Sequence, residues 1–137
     1  MKRAAWIMWV AMLTTAAAAQ EKTQPFPIDK PMSMRAVEAV CTGITLDARE
    51  NPLWADYPLR IEFVGASGEY LADAQVTLNK GDEALAAVNC SGPWVLFKLM
   101  PGAYSVSAEI GGVTKTSRVN VGGPRQVRVV FRFTDAK

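Results

Sequence analysis

Leu99-Met100-Pro101-Gly102-Ala103-Tyr104-Ser105-Val106-Ser107-Ala108 is the stretch that decides the fold. Pro sets φ for a tight turn, and Gly accepts the conformation that follows it. Behind this turn Tyr104, Val106 and Ala108 alternate with Ala103, Ser105 and Ser107. That period of two is the mark of a strand with one buried face.

The same period recurs on either side. Leu59, Ile61 and Phe63 alternate with Arg60 and Glu62 before the turn Gly65-Ala66-Ser67-Gly68. Ala72, Ala74, Val76 and Leu78 alternate with Asp73, Gln75 and Thr77 before Asn79-Lys80-Gly81-Asp82. A weaker strand covers 84–88. Val95, Phe97 and Leu99 then face inward, which leaves Trp94 out of phase with them. Beyond residue 110, Gly111-Gly112 marks a hairpin into residues 113–121. The last strand sets Val127, Val129, Phe131 and Phe133 on one face and Arg128 and Arg132 on the other. Seven short strands at near-regular spacing predict an all-β sandwich over residues 58–133.

Residues 20–57 read as an extended and partly helical lead. Pro25, Pro27 and Pro31 exclude regular helix and central strand from its first part. Met34, Val37 and Val40 fit a short helical face. Leu46 to Asn51 suits another helical turn that ends before Pro52. Residues 134–137 form a short tail.

Residues 1–19 read as a signal peptide. Lys2 and Arg3 precede an apolar run from Ala4 to Leu13, and Ala17-Ala18-Ala19 fits a cleavage site, so the mature chain starts at Gln20. The run is shorter than the ~20 residues that span a bilayer, and no second hydrophobic span follows. A periplasmic or secreted location is expected. Cleavage leaves 118 of the 137 residues, with 13 Lys+Arg against 13 Asp+Glu. That balance gives no reason to expect nucleic acid as a partner.

Cys41 and Cys90 are an even pair in an exported chain and read as a structural disulfide. The rival readings are two buried free thiols or a redox pair; no C-x-x-C motif is present.

Gly68 to Val76, then Ser91-Gly92-Pro93-Trp94, then Leu99 to Val106 resemble carboxypeptidase regulatory-like domains. These are transthyretin-like sandwiches, close to immunoglobulin-like ones in architecture, and the likeness covers residues 58–133. It implies a small stand-alone exported bacterial member, and it implies a fold more strongly than a role. An enzyme branch of the wider transthyretin-like group, which hydrolyses 5-hydroxyisourate, relies on histidines. This chain has none, so that chemistry is not carried over.

The lack of histidine also removes Ser-His-Asp and Cys-His systems and imidazole ligands for zinc or copper. No catalytic, cofactor-binding or metal-binding residue is assigned. Asp47 with Glu50, and Asp82 with Glu83, are carboxylate pairs that fit solvated surfaces. Arg118, Arg125, Arg128 and Arg132 cluster in the last strands and fit a charged outer face or edge. Trp54, Tyr57, Tyr70 and Trp94 are the candidates for a binding surface. The expected function is a non-catalytic envelope module that binds or stabilises another envelope component. The alternatives are a small-ligand or carbohydrate-binding module, and an enzyme of unrecognised type. A glycan would need two or three of the four aromatics coplanar on one surface.

Overall fold

A computed structural model describes residues 25–35 and 37–134. The expected signal peptide and cleavage site, and residues 135–137, lie outside the described residues. Among the described residues nine strands run in chain order: β1 (Met32–Met34), β2 (Val37–Thr42), β3 (Leu59–Gly65), β4 (Ala74–Lys80), β5 (Glu83–Cys90), β6 (Trp94–Lys98), β7 (Gly102–Ile110), β8 (Val113–Val121) and β9 (Val127–Phe133). They form two packed sheets, β1-β2-β6-β3-β9 and β5-β4-β7-β8. The described residues form an all-β sandwich with one short helix, α1 (Leu46–Arg49), and a 3-10 turn over Pro52–Asp56.

The core lies where the two inner faces meet. β4 contributes Ala74, Val76 and Leu78, β7 contributes Tyr104, Val106 and Ala108, and β3 contributes Leu59, Ile61 and Phe63. Each large side chain buried in this way stabilises the fold by roughly 1.5–3 kcal/mol. The Pro101-Gly102 turn leads straight into β7, whose nine residues pair in register with β8. Gly111 and Gly112 both take positive φ, 57° and 80°, as a two-residue hairpin turn requires.

The lead segment departs from expectation. Met34, Val37 and Val40, read as a short helical face, instead lie on strands: Met34 ends β1, and Val37 and Val40 belong to β2, which pairs antiparallel with β6 from Glu38 to Thr42. Val37, Ala39 and Cys41 enter the core. Val40 faces the opposite side and is buried there with Trp54, Tyr57 and Leu96. Val40 stands where Glu38 and Thr42 would otherwise make that face polar, so the period of two is masked. The boundary at residue 58 therefore does not separate two structural parts.

The expected turn before Pro52 is present as α1. Thr45 caps it by accepting from the Ala48 amide at 3.1 Å. The 3-10 turn that follows lies on the outer face of the five-stranded sheet. Its Trp54 donates from Nε1 to the Ala48 carbonyl at 2.7 Å. Gln126, just before β9, donates to the Trp54 and Tyr57 carbonyls at 2.8 and 2.9 Å.

Cys41 on β2 and Cys90 on β5 form a disulfide with Cα atoms 5.5 Å apart, so the bridge joins the two sheets along one side. The lead reinforces that side: the Phe26 amide donates to Asn89 O, and the Asp29 amide to Cys41 O, both at 2.8 Å. On the opposite side β8 and β9 each have one strand neighbour among the described residues. Among the described residues no helix is long and apolar enough to cross a membrane.

Candidate binding face

The four candidate aromatics separate into two edge-to-face pairs on the outer face of the five-stranded sheet. Trp54 and Tyr57 lie 5.9 Å apart at 72°, and Tyr70 and Trp94 lie 6.3 Å apart at 77°. Trp54, Tyr57 and Trp94 are buried, whereas Tyr70 is 44% exposed. They do not form the coplanar platform on which a sugar would stack.

Trp54 and Tyr57 are structural. Their rings cover Val40 and Leu96, and the Tyr57 hydroxyl donates to Glu38 Oε2 at 2.9 Å. Burial, together with the hydrogen bond to the Glu38 carboxylate, pushes the Tyr57 phenol well above its ordinary range.

Tyr70 and Trp94 belong to a continuous chain of charge and ring. β3 ends in a turn that closes with the Gly65 amide donating to Glu69 O at 2.8 Å. This returns Tyr70 alongside Val64, on the outer face. The Arg49 guanidinium lies 5.1 Å from the centre of the Tyr70 ring, and its Nη1 donates to Gly43 O at 2.9 Å. The edge contact of Tyr70 then meets Trp94, which is only 5% exposed. Arg60 covers Trp94 with its guanidinium carbon 4.4 Å from the ring centre, close enough for a cation–π attraction.

The chain ends on Glu62, 1% exposed, whose carboxylate accepts from Nε and Nη2 of Arg128. Arg60 Nε is 3.2 Å from the same carboxylate, within ion-pair distance but without hydrogen-bond geometry. The hydrogen bond to Glu62 also raises the Arg128 guanidinium further above its ordinary value. Glu62 tolerates burial because two cations face it. Trp94 Nε1 is likewise buried with no hydrogen-bond partner among the described residues.

Backbone conformation holds this arrangement in place. Gly43 sits at φ +96°, and a Cβ there would approach Trp94 Cγ to 2.8 Å, so only glycine lets β2 run out over the indole. A shallow groove of about 270 Å³ opens beside it, lined by Gly43, Ile44, Arg49, Tyr70, Leu71 and Pro93. Ile44 and Tyr70 are its exposed apolar surfaces.

The remaining sequence candidates disperse. Asp47, Glu50, Asp82 and Glu83 are exposed, and among the described residues no group of three or more His, Cys, Asp or Glu could hold a metal. The arginines expected as one cluster divide between the sheets. Arg128 pairs with Arg60 of β3 on the five-stranded sheet, whereas Arg118 pairs with Ser105 of β7 on the other. Sequence reading missed Arg49, Arg60 and Glu62. The alternation of Arg60 and Glu62 on one strand face was a visible signal for two of them.

No family model and no curated protein matches the chain. Among solved structures it is similar to the Bacillus anthracis TIE protein, at 18% identity and a TM-score of 0.45 over 57% of this chain. The match spans 16% of that protein's length.

Proposed function

We propose that this chain is a non-catalytic sandwich module of the cell envelope that binds a second envelope protein through the groove beside Tyr70. One observation carries the reading: Tyr70 is exposed, yet its ring is set in advance by Trp94 at its edge and Arg49 over its face. Tyr, Trp and Arg are the residue types enriched in the energetic centres of protein interfaces. An anchor already held in place loses little side-chain entropy on binding. The resemblance of residues 58–133 to carboxypeptidase regulatory-like domains supports a small exported member of that group. The disulfide and the signal-like first nineteen residues support an oxidising compartment.

The test is site-specific photocrosslinking in the cells that make the protein. A photoreactive phenylalanine in place of Tyr70 is expected to give one discrete adduct, lost on Arg49→Ala. The same probe in place of Gln75, exposed on the far sheet, is expected to give none. Equal adducts from both positions, or none from either, would overturn the proposal.

A further inference from the structure

We propose that the open edge of β9 is a docking rail for an extended segment of a second protein that carries carboxylates at alternate positions. This does not rest on the groove beside Tyr70.

Among the described residues β9 is the last strand of its sheet and pairs only with β3, in parallel, without a bulge from Val127 to Phe133. The Val127 amide donates to Pro58 O at 2.8 Å, which turns its N–H toward β3. Backbone groups alternate sides along a strand. Val129, Phe131 and Phe133 therefore also face β3, and the N–H and C=O groups of Arg128, Val130 and Arg132 point to the open edge. All three are exposed. An edge of this kind is a template for pairing with another chain.

The other edges are guarded. β1 is three residues long, between Pro31 and Arg35 at φ +52°. β5 has the Phe26 amide bonded to its Asn89 carbonyl. β8 turns Lys115 inward opposite Ala108, over the Phe133 ring at 5.8 Å; an inward cation is a common device against edge pairing. β9 turns only Val127, Val129, Phe131 and Phe133 inward.

Charge selects the occupant. Arg128 is 56% exposed and Val130 44% exposed on the outer face. Arg60 and Arg128 share the Glu62 carboxylate there, and Arg132 follows in the same outward register of β9. Arg132 donates from Nη1 to Ala66 O at 2.9 Å. A second copy pairing antiparallel about Val130 would set Arg128 against Arg132 twice, and like charges directly opposite are destabilising. A strand reading acidic, apolar, acidic on its outer face meets Arg128, Val130 and Arg132 in turn.

The probe is a fluorescein-labelled peptide that alternates glutamate, valine and glutamate on one face with valines on the other, titrated into the purified protein by anisotropy. Saturable binding is expected, at least about tenfold tighter than to the peptide with lysines replacing the glutamates. Val130→Pro removes an outward N–H and leaves the β3 ladder intact, because proline is tolerated on such an edge. It should weaken binding about tenfold, with an unchanged circular dichroism spectrum. Arg132→Glu should shift the preference to the lysine peptide. No binding, equal binding of both peptides, or indifference to Val130→Pro would overturn the proposal. So would a dimer in sedimentation that Val130→Pro dissociates, which assigns the edge to a second copy.

Discussion

Glu62 and Arg128 meet across the parallel pair β3–β9, and the Glu62 carboxylate is nearly lost to solvent beneath two guanidinium groups. Glu62→Ala would leave Arg60, half-buried over Trp94, without a counter-charge. Loss of charge-assisted hydrogen bonds at such a site costs about 2 kcal/mol. Urea unfolding of Glu62→Ala should show that loss, and Arg60→Met together with Glu62→Leu should recover part of it. A wild-type midpoint in Glu62→Ala would refute the assignment.

The disulfide closes a loop with a sequence separation of 49. In the chain-entropy model such a loop is worth about 4 kcal/mol. Cys41→Ser with Cys90→Ser should lower the melting temperature under oxidising conditions and change little when both proteins are reduced. Equal melting temperatures under oxidising conditions would show that the bridge adds nothing.

Gly43→Ala forces a side chain into a backbone at φ +96° and against the Trp94 ring. The expected cost is about 2 kcal/mol. Displacement of Trp94 should also shift the intrinsic tryptophan emission to longer wavelength. An unchanged spectrum and an unchanged melting temperature would sink this reading.

Tyr57 keeps its proton in the folded state beyond its ordinary value of 10.0, first because of burial and then because of Glu38. Below pH 10 the phenol is neutral in both states and its contribution is complete. Above pH 10 the unfolded chain releases this proton while the folded chain retains it, so stability falls as pH rises. Tyr57→Phe should be about 1 kcal/mol less stable at neutral pH, through loss of the bond to Glu38. It should lose less stability than wild type between pH 10 and pH 11. Parallel losses in the two proteins would count against it.

The sandwich was legible where one face of a strand is polar. β3, β4, β7 and β9 announce themselves by alternation, and the parity of Cys41 and Cys90 indicated the bridge. β2 was not legible, because Val40 meets Trp54 and Tyr57 on what would otherwise be a wet face. The four aromatics were visible as residues, but not as two edge-on pairs, since sequence carries no interplanar angle. Arg60 and Glu62 shared a strand face in plain view. Their partner Arg128 comes from a strand 66 residues later, and parallel pairing over that separation leaves no local mark.

The partnership of Leu59 with Val127 has a consequence for how the chain is made. Every other neighbour of β3 is available once β6 has formed, but its last partner is β9, the final strand in the described chain. Contacts between residues so distant in sequence form slowly, because a large loop must close first. A chain still emerging therefore holds a sheet that ends at β3, with the Phe63 side of the core uncovered by Phe131. Completion of the molecule waits on its last described strand.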